Sequence, residues 1–306
     1  MATAYRKRIV KVSPPSVSRL VALLLAIAWF FAGAVAADGR FDKGLLWKIE
    51  RSGAPPSYLF GTMHSDDPQV VQLAGPVRKA FERAQGLTLE IVLDPEALMS
   101  MTTSLMLADG STLEQHVGPD LYRRTVRALG KQGIPELLVT GMKPWAAAIT
   151  LMTPPDTTGL VLDHVLYQQA LAAGKPVDGL ETVAEQMDIF DRLLSPQDQV
   201  KLLRETLDQL PQIDTMLEEL RKAWLDRDLA RLTEINESSM ASGDPELAAR
   251  FNRSVILERN HRMAERLRSR LRRGNWFIAV GALHLPGKEG LLNLLSEQGY
   301  RVTRVY

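Results

Sequence analysis

A chain of 306 residues with 45% hydrophobic and 24% charged side chains has ordinary globular composition, which excludes collagen-like, low-complexity and wholly disordered chains. The first 36 residues hold five of the 37 basic side chains and no acid, so the remaining 270 carry 32 basic against 36 acidic residues, a net charge near −4 that argues against a nucleic-acid binder. With no cysteine present, thiol catalysis, disulfides, iron–sulfur clusters and cysteine-ligated zinc are excluded.

Residues 1–36 read as a secretory signal peptide. A basic lead (Arg6, Lys7, Arg8, Lys11, Arg19) precedes the uncharged run Leu20 to Ala37, which closes on Ala34-Val35-Ala36, the small-x-small pattern of a cleavage site. The expected protein is periplasmic or secreted, and would touch a membrane only if this segment stayed uncleaved.

Leu45 to Glu50 and Ser57 to Phe60 flank the turn-forming Ser52-Gly53-Ala54-Pro55-Pro56, which predicts two antiparallel strands. Pro68 to Gln85 has helical spacing of Val70, Val71, Leu73, Val77 and Phe81, with Gly86 as its stop. Leu87 to Leu93 predicts a buried strand interrupted by Glu90. Helical pattern then runs from about Pro95 to Ala173, with breaks near Gly110, Gly133 and Pro154-Pro155. Pro176 to Leu180 predicts a short strand. A large helical insertion follows over residues 182–272, its last helix opening at Asp244-Pro245-Glu246, an N-cap with proline in the first turn. Asn275 to Val280 reads as a buried strand, Gly287 to Gln298 as a helix, and Arg301 to Val305 as a final strand. The expectation is an α/β (or α+β) fold: one domain over residues 37–306 with a central mixed sheet.

Two of the five histidines share one setting: Tyr58-Leu59-Phe60 leads into Gly61-Thr62-Met63-His64, and Phe277-Ile278-Ala279-Val280 into Gly281-Ala282-Leu283-His284. An apolar strand ending in Gly-x-x-His presents the imidazole at the rim of the sheet, where α/β proteins bind ligands. His116, His164 and His261 lie in polar or charged surroundings and read as ordinary surface histidines. Glu90 interrupts an apolar strand, where a buried carboxylate needs a counter-charge or a metal. Glu181 stands at a strand-to-helix junction, where a first-turn acid also has a purely structural use. Two histidines and two carboxylates suffice to ligate a divalent metal ion. On the last long helix Leu247, Phe251, Val255, Met263, Leu267 and Leu271 recur at intervals of four or eight, and Arg259 is the missing member, with Asn260 beside it. A guanidinium on that face needs an acid or an anionic ligand, unless it snorkels to water.

Gly61-Thr62-Met63-His64, Leu89-Glu90, Lys143-Pro144-Trp145, Gly179-Leu180-Glu181-Thr182, Arg259-Asn260 and Gly281-Ala282-Leu283-His284, in this order, resemble the TraB/GumN family, whose animal relatives are the TIKI proteases. The likeness spans about Leu45 to Tyr306. It implies a metal-dependent peptidase with a peptide or protein substrate, the two Gly-x-x-His histidines and a glutamate forming the metal and catalytic site. On this reading His64, His284 and Glu181 hold the divalent metal, and Glu90 acts as base, although the two glutamates are interchangeable in these roles. Arg259 and Asn260 would stabilise the developing oxyanion. More distant relatives include haem-binding lipoproteins, so the alternatives are a non-catalytic metal or haem binder, or an interaction module in polysaccharide export or signalling. Burial of Glu90 favours hydrolysis among these.

Overall fold

The computed structural model describes residues 39–92, 94–153, 160–241 and 244–306. The signal-peptide segment and the Pro154-Pro155 break lie outside them.

Six strands form one mixed sheet: β1 (Leu46–Glu50), β2 (Ser57–Thr62), β3 (Gly86–Leu89), β4 (Val177–Gly179), β5 (Trp276–Gly281) and β6 (Arg301–Arg304), in the order β4-β3-β5-β2-β1-β6. The Ser52-to-Pro56 turn folds β2 back antiparallel on β1, pairing Leu46 with Phe60, and β6 joins β1 antiparallel. The other three pairings, β2 with β5, β5 with β3 and β3 with β4, are parallel. β5 is buried along its whole length and β3 likewise, as expected of strands covered on both faces. The chain is an α/β protein with a large helical part.

Gly86 is where the sequence reading and the structure part. It opens β3 rather than stopping the preceding helix, because it pairs with Trp276 and a Cβ there would meet the indole ring at 2.5 Å. The helix before it is broken into Pro68–Val71 and Gly75–Arg83. β3 also ends earlier than expected, at Leu89, so Glu90 is the first residue beyond a strand and no interruption within one.

Helices fill both long connections. Between β3 and β4 the chain runs through Pro95–Ser104, Pro119–Lys131, Pro144–Met152 and Leu162–Ala172, among shorter turns; between β4 and β5 it runs through Val183–Leu193, Pro196–Leu225, Leu229–Ala241, Pro245–Phe251 and Glu258–Arg273. Local chemistry sets their starts. Thr182 and Ser195 each close a reciprocal capping box, and Asp244 accepts from the amides of Glu246 and Leu247, satisfying donors that the first helical turn leaves free. Asn252–Leu257 is π-helical, joining the helix that Asp244 opens to the one that carries Arg259. No described helix is long and apolar enough to cross a membrane.

Candidate functional site

The parallel half of the sheet gathers the site. Thr62 of β2 is level with Gly281 of β5, Leu89 of β3 with Ala279, and Gly179 of β4 with Leu89. His64 follows two residues after β2, His284 three after β5, Glu90 one after β3 and Glu181 two after β4. Four neighbouring strands thus deliver their polar residues to the same carboxyl-terminal rim, the usual ligand side of an open α/β sheet. Gly61 makes the close approach possible, because a Cβ there would lie 2.7 Å from Leu285 and 3.1 Å from Ala282, inside the second Gly-x-x-His turn.

A buried charge cluster occupies the rim. Arg259, 1% exposed, donates from Nε to Glu181 Oε2 at 2.8 Å, from Nη2 to Glu90 Oε2, and from Nη1 to the Val255 carbonyl at 3.3 Å. Glu181 is engaged at both oxygens, since Oε2 also accepts from Gln186 at 3.0 Å and Oε1 accepts from Arg262 Nε at 3.0 Å. Glu90, 5% exposed, keeps Oε1 for the Gly281 amide at 2.6 Å. Burial pushes the Glu90 carboxyl up, but Arg259, His284, His64 and the Gly281 amide outweigh it and hold it at about 2. Glu181 is likewise held below the usual carboxylate range: burial opposes this, and Arg259 and Arg262 prevail. Two carboxylates and two guanidiniums balance, so the cluster is charge-neutral in the interior.

The two histidines are both buried, each with an unpartnered Nε2 among the described residues. His284, with no exposed surface, has Nδ1 2.6 Å from Asn260 Oδ1, while the Asn260 amide donates to the Glu289 carbonyl at 2.8 Å. Asn260 Oδ1 can only accept, so His284 Nδ1 carries the proton and Nε2 is the bare nitrogen. Burial, joined by Arg259, lowers the His284 pKa to about 4 against the opposing pull of Glu90, leaving a neutral imidazole at neutral pH. Its Nε2 has no hydrogen-bond partner among the described residues and lies 3.8 Å from Glu90 Oε1. His64 is also buried, with Nε2 unpartnered and Nδ1 3.0 Å from Asp163 Oδ2.

These orphaned atoms have the donor chemistry of a divalent-metal site. Two unpartnered imidazole nitrogens, at least one made neutral by its surroundings, beside an ionised carboxylate oxygen fit the ligand types of zinc-like ions. Glu90 Oε1, which also accepts from the Gly281 amide, lies 3.8 Å from His284 Nε2, whereas Glu181, expected as a ligand, has both oxygens bonded to arginines and Gln186. Among the described residues no three His, Asp or Glu side chains already stand in a metal-ligating array. Arg259 and Asn260 are 1% exposed each; Arg259 is bonded to the two glutamates, the acid partner a guanidinium on that face needs, and Asn260 to His284.

The other histidines have local partners: His116 lies 2.7 Å from Ser111 Oγ, His164 2.7 Å from Gln168 Nε2, and His261 3.3 Å from Glu289. Sequence reasoning missed Asp163, Arg262 and Gln186. Asp163 had a readable signal, since it stands three and seven residues before the buried Leu166 and Ala170 and so puts an acid on an apolar helical face.

An open cleft of about 610 Å³ adjoins the cluster from the β4 side, lined by Ile91, Ser100, Gly179, Glu181, Glu185 and Arg266 among others.

A mixed α/β sheet whose parallel strand ends bring together two bare imidazoles and a buried Glu–Arg–Glu cluster defines the class to which this chain belongs. It is a member of the TraB/PrgY/gumN family, whose profile matches residues 45–304. The chain is similar to the Metalloprotease TIKI2 of Danio rerio, 26% identical over 313 residues that cover 85% of this chain and 60% of the relative. It is also similar to the Metalloprotease TIKI1 of Homo sapiens, 27% identical over 312 residues (85% of this chain, 61% of the relative). An uncharacterized protein of Shigella flexneri, YbaP, is 24% identical over 256 residues, 81% of this chain and 90% of its own. This chain therefore spans about three fifths of the length of the animal metalloproteases it matches. No solved structure gives a significant match.

Proposed function

We propose that this protein is a divalent-metal-dependent hydrolase of the cell envelope that cleaves peptide bonds. The observation that carries the reading is the pair of buried histidines with unpartnered Nε2 atoms at neighbouring strand ends, that of His284 3.8 Å from Glu90 Oε1; the names of the animal relatives support it. His64 and His284 would hold the metal through Nε2, and Glu90 Oε1, 3.8 Å from His284 Nε2, would join them. A divalent cation there supplies Lewis acidity, which polarises a carbonyl and activates water at neutral pH. Glu90, kept ionised by Arg259, contributes a negative charge that needs no proton transfer on metal entry. Arg259 and Glu181 act one layer back. Arg259 balances the charge of Glu90 and holds its orientation, Glu181 anchors the Nε edge of that guanidinium, and Asn260 sets the His284 ring.

The test is metal analysis and peptide-library cleavage on the wild type, His64→Ala and His284→Ala. The expected result is metal uptake and cleavage by the wild type and loss of both in each variant. Equal cleavage by the wild type and His64→Ala would refute the reading, and metal or haem binding with no cleavage under any divalent metal would replace it with a binding protein. Export is part of the proposal, supported by the basic lead and apolar run of residues 1–36. Intact-mass measurement of the exported chain should give a protein that starts at about Ala37 or Asp38, and a mass that includes Leu20 to Ala36 would mean an anchored one.

A further inference from the structure

Asp163 lies on the first turn of the helix Leu162–Ala172 and is 6% exposed. A carboxyl group at that depth is costly unless its oxygens are matched. Thr62 Oγ1 donates to Asp163 Oδ1 at 2.9 Å, which fixes the carboxyl plane from the end of β2, two residues before His64. The other oxygen, Oδ2, has no hydrogen bond. It lies 3.0 Å from His64 Nδ1, off the line a hydrogen bond requires, and that nitrogen has no other partner either. A small ring rotation would join the two atoms, and each is the partner the other lacks.

We infer that Asp163 is a positioning residue that fixes His64 as its Nδ1–H tautomer and leaves Nε2 as the bare lone pair. The arrangement at the other Gly-x-x-His turn argues for this independently. There Asn260 Oδ1 faces His284 Nδ1 at 2.6 Å and Nε2 is again unpartnered. Two turns on adjacent parallel strands thus receive an oxygen acceptor at the same ring nitrogen, from two unrelated helices. An imidazole whose second nitrogen is held by a carboxyl group is oriented and more basic as a ligand. Thr62 serves the same end by orienting Asp163. The role of Asp163 in metal affinity rests on the proposed function; its control of the tautomer does not.

The experiment uses the full protein, metal-free and labelled with ¹⁵N at histidine, at about pH 8, where an ordinary imidazole is neutral. Long-range ¹H–¹⁵N spectra assign the protonated nitrogen of His64, and equilibrium dialysis against Zn²⁺ reads affinity. Wild type should show His64 protonated at Nδ1. Asp163→Leu should lose that preference and bind Zn²⁺ about 10- to 100-fold more weakly, while Asp163→Asn, which retains an acceptor oxygen, should restore the tautomer. Thr62→Val should show a partial loss of the preference. A wild-type His64 protonated at Nε2 overturns the inference, as does a folded Asp163→Leu with unchanged tautomer and affinity. Should Asp163→Leu fail to fold, Thr62→Val decides, and a wild-type spectrum from it counts against the inference. If the wild type binds no Zn²⁺ yet the tautomer shifts in Asp163→Leu, the metal reading falls and the positioning role stands.

Discussion

Replacing Arg259 by methionine isolates the energetics of the buried cluster. The variant fills much of the same volume but turns a neutral arrangement of Glu90, Glu181, Arg259 and Arg262 into one with an excess negative charge. Glu181 keeps Arg262 and Gln186. Among the described residues Glu90 keeps the Gly281 amide as its hydrogen-bond donor, so the uncompensated charge falls on Glu90. Removing one partner of a buried pair costs about 3–5 kcal/mol, and that is the destabilisation expected at about pH 7.5, read by urea unfolding with unchanged m-value. The pH dependence carries the sharper test. Without Arg259 the Glu90 carboxyl rises and can take a proton, and His284, no longer repelled by the guanidinium, charges more readily. Both changes relieve the variant as pH falls, so its deficit relative to wild type should shrink between about pH 7.5 and about pH 5.5. The double variant Arg259→Met/Glu90→Gln, which leaves no unpaired charge, should be more stable than Arg259→Met alone. A deficit under about 1 kcal/mol, a deficit that grows on acidification, or a double variant no better than the single would each refute this account.

Acid sensitivity of the wild type follows from the same rim. His284 has its folded-state pKa lowered from 6.5 to about 4, so its contribution to stability is complete above 6.5 and is lost as pH falls toward 4, a change on the order of 3 kcal/mol. Glu90, lowered from 4.5 to about 2, withdraws its contribution in the next window down, from 4.5 toward 2. Urea midpoints measured across the upper window should decline in wild type and stay flatter in His284→Gln; equal slopes would count against a buried neutral imidazole. Asn260→Ala removes the acceptor that meets His284 Nδ1 and should cost about 1–3 kcal/mol, whereas a change within error would show that the ring does not depend on that bond.

Much of the site was legible because its signals are local. Each Gly-x-x-His follows its own strand, Glu90 stands out in an apolar run, and Arg259 breaks a hydrophobic series, so each residue announces itself within a few neighbours. What the sequence withholds is who meets whom. Arg259 and Glu90 are 169 residues apart and Thr62 and Asp163 are 101 apart, and no periodicity encodes such pairings. The roles of the two glutamates depend on this. Near their strand ends they look alike, but only Glu181 is reached by Arg262 and Gln186, and only Glu90 by the amide of Gly281. The end of β3 was misplaced for a related reason: Ile91 is buried and continues the apolar run, so composition gives no mark where the ladder stops.

The hydrophobic series on the last long helix contains a further constraint that its spacing hints at. Seven positions, Leu247, Phe251, Val255, Arg259, Met263, Leu267 and Leu271, repeat every four residues and all are buried. A regular helix advances about 100° per residue, so a strict four-residue repeat winds about 40° around the axis at each step and would carry the later members out of the core. The π-helical turn at Asn252–Leu257 inserts a wider loop in the middle of the series, which resets the winding just before Arg259. It also supplies the Val255 carbonyl that accepts from Arg259 Nη1 at 3.3 Å. Arg259 and Asn260 are consecutive, separated by about 100° around the helix, and both are buried, one aimed at the glutamates and the other at His284. An unbroken α-helix would wind the later members of the series away from the core, and the local change of pitch keeps them inward while Arg259 and Asn260 reach the rim.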